Sequence, residues 1–432
     1  MRATDAAAVP AAVTFADAFR FWLKLGFISF GGPTGQIAIM HQELVERRRW
    51  ISENRFLHAL NFCMVLPGPE ATQLATYIGW LMHRTWGGIV AGSLFVLPSV
   101  FILIALSWIY VNYGNVPLIA GIFYGIKPAV VAIVLAAAWR IAQRALTHPA
   151  LWMLAGAAFI AIFAFDAPFP AIVLAAGIIG YLGGRYAPAV FSSQGSHKQN
   201  ADYGPALIDD DTPTPAHALF SWPGLWMHIG AGIGVWALVF AALVLHGGWE
   251  GTLAKMGWFF SQAALLTFGG AYAVLPYVYQ GAVEHNGWLT GPQMIDGLAL
   301  GETTPGPLIM VVAFVGYLGA GVAGALVATF FTFLPSFVFI FAGAPFVETT
   351  HGNLKFSAPL TGITAAVVGV IVNLALFFAW QVLWPGGWDG RFDRVSALIG
   401  VAALVALFRF KAGVMPVIGA CALAGLAVTL SS

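Results

Sequence analysis

The stretch Leu66-Pro67-Gly68-Pro69-Glu70-Ala71-Thr72-Gln73-Leu74 interrupts an apolar region with two prolines, a glycine, a carboxylate and two polar side chains. The second half of the chain repeats the interruption at Thr304-Pro305-Gly306-Pro307. Upstream of each interruption, Phe30-Gly31-Gly32 matches Phe268-Gly269-Gly270. The two matches have the same spacing, because Phe268 follows Phe30 by as many positions as Pro305 follows Pro67. A spacing kept without a gap over about 40 residues indicates an internal duplication.

The register of the two halves continues beyond the interruptions, with one residue deleted. Leu97-Pro98-Ser99 matches Leu334-Pro335-Ser336 at a spacing shorter by that one residue. Gly125-Ile126 matches Gly362-Ile363 at the same shorter spacing. The duplication therefore extends over most of each half, and we look for function where the halves meet.

The composition is that of a membrane protein. Hydrophobic residues make up 59% of the 432 residues and charged residues only 9%, whereas soluble domains carry about 25% charged residues. The apolar runs are long enough to cross a ~30 Å hydrocarbon core as helices, and they lack the alternation of a membrane β-barrel. The predicted fold class is an all-α integral membrane protein embedded in a lipid bilayer. A formal charge of +1 gives no reason to expect a nucleic-acid partner.

Short helices flank the interruptions and longer ones follow them. At about 1.5 Å per residue the short helices cover only part of a bilayer, so they are interpreted as broken, re-entrant-like hairpins bent at the Gly-Gly and Pro-Gly-Pro sequences. The helices predicted for the first half are ~14–29, ~33–46, ~53–65, ~69–83, ~87–112, ~116–140, ~149–165 and ~168–184. Those for the second half are ~253–269, ~271–285, ~291–304, ~307–320, ~322–347, ~356–384, ~395–410 and ~413–430.

The chain divides into four predicted units. Residues 1–187 form an N-terminal repeat and residues 248–432 a C-terminal repeat. Between them, residues 188–222 are a polar cytoplasmic linker with a triple acid, Asp209-Asp210-Asp211. Residues 223–247 are a connecting transmembrane helix that has no counterpart in the first half.

The distribution of positive charge predicts opposite orientations for the two repeats. Arg47-Arg48-Arg49 and Arg55 follow the first hairpin, whereas the equivalent residues 281–293 contain no Lys or Arg. By the positive-inside rule the first loop is cytoplasmic and the second is external. One unpaired helix between two even-numbered repeats inverts the second repeat. We therefore expect an inverted-topology repeat in the bacterial cytoplasmic (inner) membrane, multi-pass, with the N-terminus inside and the C-terminus outside.

The interruptions are the predicted binding site. They free backbone groups at membrane depth, which costs several kcal/mol per group unless those groups line a cavity or are covered by protein. The helix N-termini that follow point N–H groups at an anion, whereas a packing kink is the alternative for any single break. The two Gly-Gly and two Pro-Gly-Pro sequences form four breaks in matched pairs, and this repetition favours a binding site. The substrate-binding candidates are Gly31, Gly32, Thr34, Gln36, Gly68, Thr72 and Gln73 in the first half and Gly269, Gly270, Tyr272, Thr303, Thr304 and Gly306 in the second.

Lys127 completes the set of substrate-binding candidates. It lies in the middle of a predicted span, where an ammonium costs about 2.5–3.5 kcal/mol, so we expect it to face a water-filled path or a carboxylate and to act as a countercharge. Snorkelling of the side chain to the interface is the alternative. The equivalent residue of the second half is Thr364, so the charge belongs to one repeat only.

Two acids near the interruptions are candidates for coupling or charge balance. Glu70 follows the first Pro-Gly-Pro directly, although it is also interpretable as an ordinary acid of a helix N-terminus, and Glu302 shortly precedes the second. If buried, either carboxylate is able to exchange protons or to balance Lys127. Asp166 and Asp296 are interpreted as loop or interface residues.

The motifs around these residues resemble the chromate ion transporter family in its long, two-domain form. The resemblance covers roughly residues 15–185 and 253–430. Its motifs are Ser29-Phe30-Gly31-Gly32-Pro33, the runs 43–50 and 66–80, the run 267–276, and Glu302-Thr303-Thr304-Pro305-Gly306-Pro307-Leu308. The resemblance implies a secondary transporter that exports chromate, a tetrahedral dianion similar to sulfate, and so confers chromate resistance.

Membrane physics agrees with export. Moving a dianion out of a cell whose interior is negative is favoured by about 4.6 kcal/mol per 100 mV, twice the ~2.3 kcal/mol of one charge. An oxyanion channel or an exchanger that also carries sulfate remains an alternative. A membrane-embedded enzyme is a weaker one, because the sequence contains no nucleotide, metal-ligand or redox-cofactor motif and implies no cofactor. The coupling ion and assembly as a homodimer are left open.

Overall fold

The computed structural model describes residues 10–191, 203–268, 270–350, 357–387 and 390–431. Gly269, one of the candidate residues, lies outside them. In the described residues seven helices are long and apolar enough to cross a membrane: Glu70–Tyr113, Pro117–Ala145, Phe169–Tyr186, Trp222–Gly247, Leu308–Thr349, Ala358–Leu383 and Val414–Ser431. The predicted all-α integral membrane fold is therefore confirmed.

The helices follow the predicted order, and most of their bounds agree with the predicted ones to within a few residues. Two long helices each cover two predicted ones, and a short helix at Pro188–Phe191 lies in the predicted linker. In chain order they are α1 (Phe15–Ile28), α2 (Gly32–His41), α3 (Glu53–Val65), α4 (Glu70–Tyr113), α5 (Pro117–Ala145), α6 (Pro149–Phe165), α7 (Phe169–Tyr186), α8 (Pro188–Phe191), α9 (Trp222–Gly247), α10 (Thr252–Leu266), α11 (Ala271–Tyr279), α12 (Gly291–Thr303), α13 (Val311–Thr350), α14 (Ser357–Leu383), α15 (Arg394–Phe408) and α16 (Val414–Ser431).

The two halves share their irregularities as well as their helices. A π-helical segment, Gln42–Arg47, continues α2, and its counterpart in the second half, Gln280–His285, continues α11. The long helices α4 and α13 are each interrupted by two non-helical residues, His83-Arg84 and Ala320-Gly321, which are equivalent in the shorter spacing of the repeat. Identical departures from the α-helix at equivalent positions indicate that the repeat extends to local backbone geometry.

At these non-helical residues the long helices fold back on themselves. A Cβ atom added to Gly79 would be crowded by the backbone of Gly87, and Gly316 and Gly324 approach each other in the same way. Residues eight apart in a straight helix lie about 12 Å apart. The contact therefore means that the chain reverses at the bend, and the first segment of α4 spans only part of a ~30 Å core.

The central helix of each half packs into the other half. α5 contacts α15 and α16, whereas α14 contacts α6 and α7. Both interfaces depend on glycine, since Gly125 meets Gly425 and Gly362 meets Gly180 with no room for a side chain. In a bilayer, where lipid tails are as apolar as leucine, helices associate through such close backbone packing. The exchange of central helices joins the halves into one core.

The described part of the polar linker is bound to the start of the first half. Ile208 forms an isolated parallel bridge with Ile51. Asp210 accepts hydrogen bonds from Ser52 Oγ at 2.5 Å and from Asn54 Nδ2 at 2.6 Å. Residues 207–212 are thus held against the loop that precedes α3 and against the first turn of α3.

The glycine contact between α5 and α16 yields a stability prediction. Gly425→Leu places a side chain against the backbone of Gly125, whereas Gly419→Leu on the same helix meets nothing within 4 Å. Overpacking typically costs about 1–3 kcal/mol. We expect Gly425→Leu to lower the thermal unfolding midpoint of the detergent-purified protein and Gly419→Leu to leave it unchanged. Equal midpoints for the two variants would show that this contact does not hold α16 in place.

Candidate functional site

Each Pro-Gly-Pro break is held by the other half of the chain. The Gly68 N–H donates to the carbonyl oxygen of Thr267 at 2.7 Å, and the Gly306 N–H donates to that of Ser29 at 2.8 Å. Thr267 and Ser29 follow the last residues of α10 and α1. The two hydrogen bonds are reciprocal, because the donors are equivalent residues of the two halves and so are the acceptors.

Only glycine fits the central position of either break. Gly68 has a φ of 127° and Gly306 a φ of 95°, a conformation that other residues rarely adopt. A Cβ atom on Gly306 would lie 2.9 Å from Ser99 Cβ, and one on Gly68 would overlap Ser336 Oγ. Conformation and close approach therefore both require the glycine that the sequence repeats.

Three helices that follow a Gly-Gly or Pro-Gly-Pro sequence begin without a side-chain cap. α2, α4 and α11 follow Gly31, Pro69 and Gly270, none of which has a side-chain acceptor. The first N–H groups of a helix have no partner within the helix and are usually satisfied by a capping side chain, by water or by a ligand. These starts are consequently suited to hold an anion.

Buried polar side-chain atoms without a hydrogen-bond partner are concentrated at the breaks. Buried polar groups are paired in roughly 90% of cases or more, and leaving one unpaired costs about 1–3 kcal/mol. The atoms without a partner in the described residues include Ser29 Oγ, Gln36 Oε1, Thr72 Oγ1, Gln73 Oε1, Ser99 Oγ and Ser336 Oγ. We call these six residues the polar cluster. Each of them is at most 1% exposed.

The two glutamines of the polar cluster donate hydrogen bonds to the breaks. Gln36 Nε2 donates to the carbonyl oxygen of Gly306, which belongs to the other half. Gln73 Nε2 donates to the carbonyl oxygen of Pro67, in its own half, at 2.8 Å. Gln36 Nε2 also donates to the carbonyl oxygen of Ser29 at 3.4 Å, so both of its N–H groups are used, whereas Gln73 uses one of its two in the described residues. The Oε1 atoms of both amides are left as acceptors.

The predicted first-half candidates divide between the buried cluster and the surface. Gln36, Thr72 and Gln73 belong to the polar cluster, whereas Gly31 and Thr34 are exposed and Gly32 is half-buried. Sequence reasoning missed the three serines of the cluster: Ser29, Ser99 and Ser336. Their signal was present, because Ser29 precedes the first Phe-Gly-Gly and the other two end the repeated Leu-Pro-Ser.

The hydroxyl groups of the predicted second-half candidates already form hydrogen bonds within the protein. The hydroxyls of Thr303 and Thr304 donate to carbonyl oxygens of their own helix, at 2.9 and 3.1 Å. Tyr272 donates a hydrogen bond to the buried carboxylate of Glu302 and so joins α11 to α12. Glu302 therefore has a polar partner beside the second break.

Glu70 brings a carboxylate of the first half to the start of a second-half helix. A Cβ atom on Gly270 would lie 3.9 Å from Glu70 Oε1. Gly270 precedes α11, which carries Tyr272. The coupling candidates Glu70 and Glu302 are thus both associated with the first turn of α11, one from each half.

Lys127 contacts a carboxylate and lies apart from the breaks. Its Nζ is 3.4 Å from Asp296 Oδ2, which also accepts a hydrogen bond from the Tyr110 hydroxyl at 2.8 Å. Asp296 lies six residues before Glu302 on α12, a separation of about 9 Å along the helix axis. The interpretation of Asp296 as a loop or interface residue is wrong, because α12 buries its side chain to 4% exposure. The apolar residues around Asp296 in the sequence were a signal that its side chain is buried.

A pocket of about 170 Å³ opens beside Lys127. Lys127, Gln381, Asp393 and Tyr124 are among its lining residues, and the Tyr124 hydroxyl lies 2.9 Å from both carboxylate oxygens of Asp393. Burial opposes ionisation of Asp393, but hydrogen bonds from Ser396 and Tyr124 outweigh it and lower the pKa of this carboxyl. The pocket is therefore lined by both a cation and an ionised carboxylate.

A second buried ionic cluster, absent from the predictions, lies at the start of α3. Arg55 Nη1 is 3.2 Å from Glu348 Oε2, and its Nη2 donates to the carbonyl oxygen of Thr212 at 2.6 Å. Tyr77 also donates to Glu348, which is 8% exposed. This cluster connects both halves to the linker. Glu348, a lone acid at the end of a predicted span, was the signal in the sequence.

The broken helices of the two halves contact each other reciprocally, and uncapped helix starts and buried polar atoms without a partner lie beside them among apolar spans. This arrangement is that of a multi-pass membrane transporter. The family model described as "Chromate transporter" matches residues 16–181 and 254–426. This chain belongs to the chromate transporter family.

Curated relatives agree with this assignment. The chromate transport protein of Pseudomonas aeruginosa is 36% identical over 86% of this chain and 83% of its own length. The chromate transport protein of Cupriavidus metallidurans is 31% identical over 90% and 87%. The probable chromate transport protein of Synechococcus elongatus is 30% identical over 90% and 89%. No solved structure matches.

Proposed function

We propose that this protein is a secondary transporter that exports chromate through a site between the two Pro-Gly-Pro breaks. The observation that carries the proposal is the polar cluster, buried where the breaks of opposite halves meet. Chromate and sulfate are tetrahedral dianions that accept hydrogen bonds through their oxygens. Backbone N–H groups at helix starts and side-chain hydroxyls are the donors such ions require. The names of the relatives from P. aeruginosa and C. metallidurans support chromate as the substrate.

An inverted repeat gives the site its alternating access. The reciprocal hydrogen bonds of Gly68 and Gly306 are those expected of two halves related by a two-fold axis. If that axis lies in the membrane plane, rocking of one half against the other opens the site to each side in turn. Segments that the charge distribution places inside contact one another, as Arg55 does with Thr212 and Glu348.

Lys127 is the proposed countercharge on the external side of the site. Its pocket borders Pro292, which belongs to the segment 281–293 that the positive-inside rule places outside. A dianion that leaves the breaks along α12 meets Lys127 about two helical turns further on. There it replaces Asp296 as the partner of the ammonium group.

Glu70 and Glu302 are proposed to balance charge at the breaks. A dianion beside two ionised carboxylates is strongly disfavoured, so binding of chromate favours the protonated form of either acid. Transport of chromate is then linked to proton uptake at these residues, in addition to the membrane potential.

Opposite orientation of the repeats predicts opposite labelling of an equivalent pair. Glu46 and Glu284 are both exposed and occupy equivalent positions of the two halves. With the buried Cys63 and Cys421 replaced by alanine, a membrane-impermeant maleimide should label Glu284→Cys in intact cells and Glu46→Cys only in everted vesicles. Labelling of both cysteines from the same side would refute the inverted arrangement.

Everted vesicles provide the direct test of export. With valinomycin and an inward potassium gradient, the lumen becomes positive and chromate should accumulate in vesicles that contain the protein. At 100 mV the driving force on a dianion is about 4.6 kcal/mol. Vesicles without the protein are the control, and equal uptake in both would overturn the proposed function.

The same assay separates the mechanisms. Flux well above ~10³ ions per second would identify a channel, because ordinary turnover does not exceed that rate. A pH gradient imposed without a potential tests proton coupling. Glu70→Gln should lose at least part of the pH dependence, and a variant that keeps it in full would exclude Glu70 as a proton-exchanging group.

Charge at position 127 should be required for resistance. Lys127→Met is expected to abolish growth on chromate, and Lys127→Arg to retain it in part, since only the second keeps the cation. Loss of one partner of an ion pair also leaves the other charge unpaired. Lys127→Met combined with Asp296→Asn therefore serves as the control that removes both charges. Resistance restored in the double variant would mean that the pair is structural and that Lys127 is not a countercharge.

A further inference from the structure

The repeated Leu-Pro-Ser sequence contributes one serine from each half to the polar cluster. Its serines, Ser99 and Ser336, lie in α4 and α13, at 0% and 1% exposure, with hydroxyls that have no hydrogen-bond partner in the described residues. We propose that Ser99 and Ser336 are a matched pair of oxyanion-binding hydroxyls, one from each half, that donate hydrogen bonds to the transported dianion. This inference rests on the proposed function and assigns binding residues to the same site.

Each serine lies against the break of the opposite half. A Cβ atom on Gly306 would lie 3.1 Å from Ser99 Oγ, and one on Gly68 would overlap Ser336 Oγ. Since Gly68 and Gly306 are the centres of the two Pro-Gly-Pro sequences, the two hydroxyls flank the proposed site from both sides. Their reciprocal placement follows that of the backbone hydrogen bonds between the halves.

The unpaired state of these hydroxyls is unusual for their position. A buried serine or threonine in a helix ordinarily donates to the carbonyl oxygen four residues earlier. Ser99 and Ser336 do not, although other hydroxyls of the same helices do. In α4 these are Thr76 and Ser107, at 2.8 and 2.6 Å, and in α13 they are Thr329 and Thr332, at 2.8 and 2.7 Å.

The preceding prolines open the helix beside the serines. Pro98 has no N–H, so the carbonyl oxygen of Leu94 has no donor from the usual position four residues later, and Pro335 does the same for Phe331. The helix is locally less tightly bonded at the turn that carries each hydroxyl. This loosening occurs twice, at equivalent positions, next to the two breaks.

The rest of the polar cluster fits hydroxyl donation. Gln36 has used both of its N–H donors and Gln73 one of its two, and their amide oxygens only accept. Four of the donors available to a dianion from the cluster are therefore hydroxyls, those of Ser29, Thr72 and the Leu-Pro-Ser pair, and the remaining one is an N–H of Gln73. Neutral donors bind an anion without an opposing full charge, which allows it to leave again.

The test measures binding and stability in the purified full-length protein. Ser99→Ala, Ser336→Ala and the double variant are compared with Ser107→Ala, a buried serine of α4 whose hydroxyl is already bonded to Leu103. The probes are chromate and sulfate, titrated by calorimetry. Each single cluster variant should weaken binding of both about tenfold or more, since hydrogen bonds to ionised groups are the strong ones. The double variant should bind more weakly still, and Ser107→Ala should bind like the wild type.

Thermal unfolding separates a binding role from a structural one. Removing a buried hydroxyl that has no partner should leave the midpoint of the ligand-free protein unchanged or raise it. The upward shift produced by chromate in the wild type should disappear in the double variant. A lowered ligand-free midpoint with an unchanged chromate shift would assign the serines to folding and overturn the inference.

The outcomes distinguish this inference from the proposed function. If wild-type protein transports chromate in everted vesicles and the double serine variant binds it with wild-type affinity, the hydroxyl assignment is wrong and export stands. If wild-type protein neither binds nor transports chromate, both are overturned. Ser99→Thr and Ser336→Thr retain the hydroxyl, and binding that survives in them but not in the alanine variants supports donation by that group.

Discussion

The hydrogen bond from each Pro-Gly-Pro break to the opposite half is the interaction on which the structure depends. Lipid offers no partner for a free N–H, so a helix broken at membrane depth must find its acceptor in protein. Gly68 finds it at Thr267 and Gly306 at Ser29. Neither half is therefore complete alone, and the place where each completes the other is also where polar side chains accumulate.

The exchange of central helices extends this dependence to the whole molecule. α5 lies among second-half helices and α14 among first-half helices, through glycine contacts at equivalent positions. A displacement of one half would therefore also move a helix that is packed in the other half. Close packing transmits such displacements because interiors do not deform continuously. A duplicated chain has in this way become one cooperative unit.

Charge breaks the symmetry that the backbone keeps. Asp296 and Lys127 form an ion pair, whereas the equivalent positions hold His58 and Thr364. The second buried ionic cluster, around Glu348, joins the halves through different positions near the linker. The two halves therefore have similar backbones but different ionic contacts. They would consequently contribute differently to the energetics of transport.

The sequence by itself determined the membrane class, the helices to within a few residues, and the duplicated breaks, because apolar runs, prolines and glycines act locally. It also marked Gln36, Thr72 and Gln73 as candidates, and the structure buries all three in the polar cluster. Only the tertiary structure decided that Lys127 is paired with Asp296 and that serines from distant helices complete the polar cluster. Those contacts join segments that lie far apart in the chain, and no local pattern encodes which segments meet when the two halves fold into each other.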